Sequence, residues 1–160
     1  MRIILVIAGL FFSSVSFAQN KITGKWKPVF FSMGKLITAD IKADTVFLSD
    51  SIDVILKDDK DPNGSKELMQ MMAEAMLQKM KTLAQEFSPA GVYTEIDTRR
   101  NTSKNGTYTF DATTNVLTTT LGNAIAKYTV SFKKDHMVLT GEVGSNPDKR
   151  GIVIIEYEKI

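Results

Sequence analysis

The stretch after Gly91 limits this chain more than any other. Runs rich in Val, Ile, Tyr, Phe and Thr recur there about every ten residues, with turn chemistry between them. The strand candidates are Val92–Thr98, Gly106–Asp111, Val116–Leu121, Ala126–Lys133, Met137–Val143 and Gly151–Lys159. Lys104-Asn105-Gly106, Thr113-Thr114-Asn115, Gly122-Asn123, Lys134-Asp135 and Ser145-Asn146-Pro147-Asp148 separate them. These are residues that tolerate or demand the tight backbone of a hairpin. Within the runs, apolar and polar positions alternate. Tyr108 and Phe110 share a face, as do Leu117, Thr119 and Leu121, and as do Tyr128, Val130 and Phe132; Lys127, Thr129, Ser131 and Lys133 oppose the last set. Successive strand residues point to opposite sides, so one face is buried and the other wet. An antiparallel meander of this length removes its exposed edges by closing on itself.

The first strand lies far upstream. Ile22–Met33 is rich in β-formers and carries the only tryptophan, Trp26. Gly24 lets backbone approach a large ring closely. Pro28 has no N–H and belongs at an edge or a bulge. Gly34–Asp44 reads as an irregular connection, and Thr45–Leu48 and Ile52–Leu56 as short strand-like runs. After the polar turn Asp58–Gly64 the pattern predicts a helix over Ser65–Phe87. Met69, Met72, Ala73, Met76, Met80, Leu83, Ala84 and Phe87 keep helical spacing on one face. Ser65 can cap this helix and Pro89 ends it. The expected fold is mainly β: an antiparallel up-and-down barrel of about eight strands, with one long helix inserted after the first strand.

The start of the chain reads as a targeting segment. Arg2, the apolar run Ile3–Phe12 and the small-residue ending Ser16-Phe17-Ala18 are the parts of a secretory signal peptide over 1–18, cleaved before Gln19. The apolar run is shorter than the roughly twenty residues a membrane span takes. The expectation is a periplasmic or secreted domain over 19–160 with no membrane span. The chain has no cysteine, which excludes disulfides, thiol nucleophiles and thiolate metal sites. Its 20 basic and 18 acidic side chains nearly balance, so composition makes no case for nucleic acid as a partner.

Gly24-Lys25-Trp26-Lys27 on a first strand resembles the G-x-W signature of lipocalins and their calycin relatives. Asn105-Gly106-Thr107-Tyr108-Thr109-Phe110, followed by Leu117-Thr118-Thr119-Thr120, is similar to the meander of small exported bacterial lipocalin-like domains. The resemblance implies that Gly24 and Trp26 close one end of the barrel. It also implies an arginine of the last strand against the tryptophan, and Arg150 is the position that matches. The chain departs from the pattern in two places. A long helical segment, similar to the portal helices of fatty-acid-binding proteins, precedes Val92, and the chain ends in strand where the family adds a helix.

The residues expected to line a ligand are Phe30, Tyr108, Phe110, Leu117, Tyr128, Val130 and Phe132, with Met72, Met76 and Met80 at the mouth. Methionine is flexible and polarisable and suits a loosely specified apolar partner, although an apolar helical stripe is ordinarily core. Asp59-x-Asp61-x-Asn63-Gly64 matches the opening of a calcium loop, but the twelfth position is Gln70 where the loop needs glutamate. His136, the only histidine, reads as a surface turn residue without a metal-binding partner. Glu156 and Glu158 share a strand face, as do Glu95 and Asp97; acid–base work is conceivable there, but a solvated face explains them. Arg99-Arg100 fits a solvated turn better than a grip on an anionic head group. The expected function is a non-enzymatic binding protein, without metal or cofactor, holding a small apolar or amphipathic molecule. The alternative is a ligand-free module whose helix meets a protein partner in the cell envelope.

Overall fold

The computed structural model describes residues 21–34, 36–57, 59–143 and 151–160. The elements run β1 (Gly24–Met33), β2 (Ile37–Asp40), β3 (Thr45–Leu48), α1 (Ser51–Ile55) and α2 (Pro62–Lys81). Then come β4 (Leu83–Phe87), β5 (Val92–Asp97), β6 (Thr102–Asp111), β7 (Val116–Leu121), β8 (Ala124–Lys133), β9 (His136–Val143) and β10 (Gly151–Lys159). Neighbours in sequence pair antiparallel from β4 to β10, and β10 returns to β1. Eight strands, β1 and β4 to β10, form a closed all-antiparallel barrel, as the meander predicts.

Closure depends on β1 using both edges. Its one edge pairs with β10 from Trp26↔Lys159 to Met33↔Val153. The other edge is shared: Gly24–Trp26 pairs with β4, and Phe30–Met33 pairs with β2. The β1–β10 register breaks between Pro28 and Phe30. Proline donates no ladder bond, so an irregularity there loses little. Val29 is not idle, because its carbonyl accepts the Ile41 N–H at 3.0 Å.

Four expectations change. Lys104-Asn105-Gly106 is not a turn: it lies inside β6, where it pairs with Glu95, Thr94 and Tyr93 of β5. The long helix follows β3, not β1, because Ile37–Asp40 within the supposed irregular connection pairs with β1 and folds back through β3 as a hairpin. Ile52–Leu56 is not a strand: Ser51–Ile55 forms the short helix α1, with Ile52 turned into the core. The long helix starts at Pro62, where Asp61 caps it by accepting the Gly64 N–H at 3.1 Å, and it stops at Lys81. Leu83–Phe87, expected as the last turns of that helix, is instead β4 and joins β1 to β5.

The core is continuous through the barrel. Ile22, Trp26, Phe87 and Tyr157 fill one end, where β1 begins, and Phe31, Ile37, Ala39 and Ile41 the other. Ala73 and Leu77 of α2 join this second group, and α2 packs on β2 and β3. Phe87 meets Tyr108 edge-on, with ring centroids 5.1 Å apart.

Candidate functional site

The residues expected to line a ligand separate into three groups. Tyr108, Leu117 and Val130 face inward and are fully part of the core, with Phe110 and Tyr128 partly buried against it. They fill the barrel. Met76 and Met80 pack on the same cluster, but Met72 is 63% exposed and lies on the solvent side of α2. Phe30 is also corrected. The register break carries it opposite Glu156 on the outer face, while Phe31 turns inward. Phe132 continues the inward face of β8 past Val130 to the Trp26 end, where it is 38% exposed.

A polar group lies inside the barrel. Tyr93 and Glu95 share the inward face of β5, with Gln85 of β4 beside them. Gln85 Nε2 donates to Tyr93 Oη at 2.9 Å, while its buried Oε1 accepts no hydrogen bond among the described residues. The Tyr128 ring lies over Gly141, where an added Cβ would be 2.8 Å from Tyr128 Cδ1. Burial first, and the Glu95 carboxylate second, push the Tyr93 and Tyr128 hydroxyls above the ordinary tyrosine range. Burial pushes Tyr157 well above it, with Tyr93, Tyr128 and Glu95 adding to the effect and Gln85 opposing a small part of it.

These shifts set an alkaline limit. Folded protein holds the three protons more tightly than the unfolded chain, whose tyrosines titrate near 10.0. Their contribution is fully present below that pH and is lost as pH rises through the folded values. We expect the urea midpoint to fall from about pH 10 upward, and tyrosinate absorbance of the folded protein to lag that of the urea-unfolded chain. Coincident titration curves in the two states would contradict the burial of these hydroxyls.

An open pocket lies at the Trp26 end of the barrel. Lys21 and Ile22, in helical conformation, form the turn that leads into β1 at this end. Trp26 Nε1 donates to the Ile22 carbonyl at 2.7 Å, which ties that turn to the barrel. Trp26 is 3% exposed and, with Phe132, floors a pocket of about 490 Å³. Its rim is Lys21, Lys134, Asp135 and Lys159. Lys159 Nζ stands 5.4 Å from the Trp26 ring centroid, a cation–π distance. Arg150, the arginine implied by resemblance, lies outside the described residues. The register puts the start of β10 at the far end of the barrel, so the last-strand cation over Trp26 is Lys159. The three lysines are not singled out by the sequence, because their positions along the chain carry no signal that groups them.

The other candidates have partners of their own. His136 opens β9 and hydrogen-bonds through Nδ1 to Glu156, so it is a strand residue and not a turn residue. Glu158 pairs with Lys42. Asp59 accepts the Asp61 N–H at 3.0 Å and the Ser65 hydroxyl at 2.9 Å, which holds its carboxyl below the usual range. The carboxylates of the calcium-like loop thus serve the turn and the helix cap. No group of three or more His, Cys, Asp or Glu among the described residues is placed to hold a metal. The Arg99 and Arg100 N–H groups both donate to Asp97, as a solvated turn requires. A second concavity, about 760 Å³, crosses the outer face of β7 to β10 past Ile125, Lys127, Thr129, Thr140 and Ile152.

By its architecture the chain is a closed eight-stranded antiparallel barrel with a pocket at one end. No family model and no curated protein matches it. Among solved structures it is similar to a DUF4847 family protein from Bacteroides vulgatus ATCC 8482, with a TM-score of 0.45 and 13% identity. That similarity covers 84% of this chain and 92% of the other.

Proposed function

We propose that this is an exported, non-enzymatic binding protein that holds a small amphipathic molecule at the Trp26 end of its barrel. One observation carries the reading: an open pocket of about 490 Å³ with an aromatic floor and a charged rim. Ligand sites have this size and this division between apolar lining and a few polar groups. The deeper interior is a poorer candidate, because Tyr108, Leu117 and Val130 already fill it. A lipocalin-like relationship is the finer reading of the fold, supported by barrel closure, by the Gly24-Lys25-Trp26 strand start and by a last-strand cation over the tryptophan. Export rests on the signal-peptide pattern of residues 1–18, which lie outside the described residues.

The test is chemical. The mature protein is purified from its envelope fraction without detergent, extracted with organic solvent, and the extract examined by mass spectrometry. A co-purifying amphiphile in near-stoichiometric amount is the expected result. An empty extract, with no displacement of an environment-sensitive apolar dye, would favour the second reading. That reading is a ligand-free interaction module, and it has its own support: the filled interior, and the exposed Leu68, Met71 and Met72 on α2.

A further inference from the structure

Three lysines meet at the rim of the Trp26 pocket from distant parts of the chain: Lys21 before β1, Lys134 in the β8–β9 turn and Lys159 ending β10. Lys42, Lys66 and Lys81 each pair with a carboxylate, whereas none of the three rim lysines does so among the described residues. Among the described residues only Asp135 shares their rim, so these residues give the pocket a surplus of positive charge. Like charges gathered at one rim repel one another, and an anion seated among them relieves that repulsion. Local backbone preference does not account for Lys134. Its φ is 56°, and the other non-glycine residues with positive φ among the described residues are Asp44, Asn101 and Asn115. Those are the types that tolerate this conformation, and lysine is not one of them. Beneath the rim lie Trp26 and Phe132, with the Lys159 ammonium positioned by the indole face.

We infer that this pocket selects a small soluble amphiphile with an anionic head, a carboxylate or a phosphate, whose apolar body lies on Phe132 and Trp26. The inference rests on the binding reading above and adds the sign of the head group. Ammonium groups on flexible stems bind such heads as point charges, without the fixed fork an arginine would impose. A ligand with a cationic head would meet the same surplus charge and be repelled.

Trp26 is the only tryptophan, so its emission reports on this pocket. The mature protein is titrated at low ionic strength with octanoate, octanol and octylamine, all below micelle-forming concentrations. Octanoate should bind at least about five-fold more tightly than octanol, and octylamine more weakly than either. Added sodium chloride should weaken octanoate and leave octanol unchanged, because exposed charge pairs are screened. Lys134→Gly, which suits the local backbone, and Lys159→Gln should each weaken octanoate by roughly two- to five-fold and spare octanol. The salt series on unaltered protein decides the matter even where a variant folds poorly. Equal binding of all three probes would overturn the head-group inference and leave the binding reading standing. Silence toward all three would overturn both. A response to phosphatidylglycerol vesicles but not to octanoate would overturn the soluble ligand in favour of a membrane surface.

Discussion

Trp26→Ala should destabilise the barrel by about 3–5 kcal/mol, as large-to-small changes of a buried tryptophan do. The ring is 3% exposed and belongs to the core cluster. Deleting it leaves a void and several further losses. The Ile22 carbonyl loses its 2.7 Å donor, so the turn that leads into β1 loses its anchor. Ile22 itself is fully buried there. Lys159 loses the ring beneath its ammonium. The site also lies where β1 pairs on both sides, with Lys159 across one edge and Gln85 across the other. Urea unfolding followed by circular dichroism should show a lower midpoint with little change in slope. The melting temperature should fall by roughly 10–15 °C. A loss below about 1 kcal/mol, the scale of an ordinary surface change, would mean that Trp26 does not close the barrel. Because Trp26 also floors the pocket, the same variant should lose octanoate binding.

The second large effect comes from adding a single methyl group. Gly106→Ala should cost about 3 kcal/mol, the upper end of what overpacking usually costs. A Cβ at Gly106 would overlap the Thr120 carbonyl oxygen and lie 3.0 Å from its carbon and 3.2 Å from Leu121 Cα. All three atoms are backbone of β7, so no rotamer change can relieve the contact. The β6–β7 ladder, which starts one residue on at Thr107↔Thr120, would have to splay. Hydrogen exchange of the amides in that ladder should accelerate together with the fall in melting temperature. Gly122→Ala is the contrasting control. Its φ of +59° makes a side chain strained, but nothing lies within 4 Å of its Cβ position. The cost there should be about 1–2 kcal/mol, from backbone conformation alone. Equal effects at the two positions would refute the steric account of Gly106.

Much of the barrel could be read from residues because its signals are local. β7 and β10 run over the expected residues, Val116–Leu121 and Gly151–Lys159, and β7 lies between turns that hold Asn115 and Gly122-Asn123. Alternation placed Tyr108, Leu117 and Val130 on the inner face, although it did not show that they pack on one another. Leu83–Phe87 is ambiguous in the sequence because the same residues satisfy two periods. Leu83, Ala84 and Phe87 continue the stripe of Met76 and Met80, while Leu83, Gln85 and Phe87 alternate. Five residues are too few to separate those periods. What decides is the free edge of β1, which β4 occupies. The facing of Phe30 is hidden in the sequence for a related reason. Pro28 announces an irregularity, but one extra residue inverts the parity of everything beyond it. The stripe on α2 was wide enough to fit several orientations. Packing against the β2–β3 hairpin turned Ala73 and Leu77 inward and left Met72 outside.

What the sequence determined by itself was the meander, the turns around Asn115, Gly122 and Lys134, and the presence of one long helix. Each depends on backbone preferences and alternation among near neighbours, which a linear reading contains. The tertiary structure alone decided that the helix follows a hairpin, that Phe30 faces out, and that Lys159 is the cation over Trp26. It alone brought Lys21, Lys134 and Lys159 to one rim. Those outcomes depend on register and on the β10–β1 closure, which join residues from opposite ends of the chain, and no local preference encodes that juxtaposition.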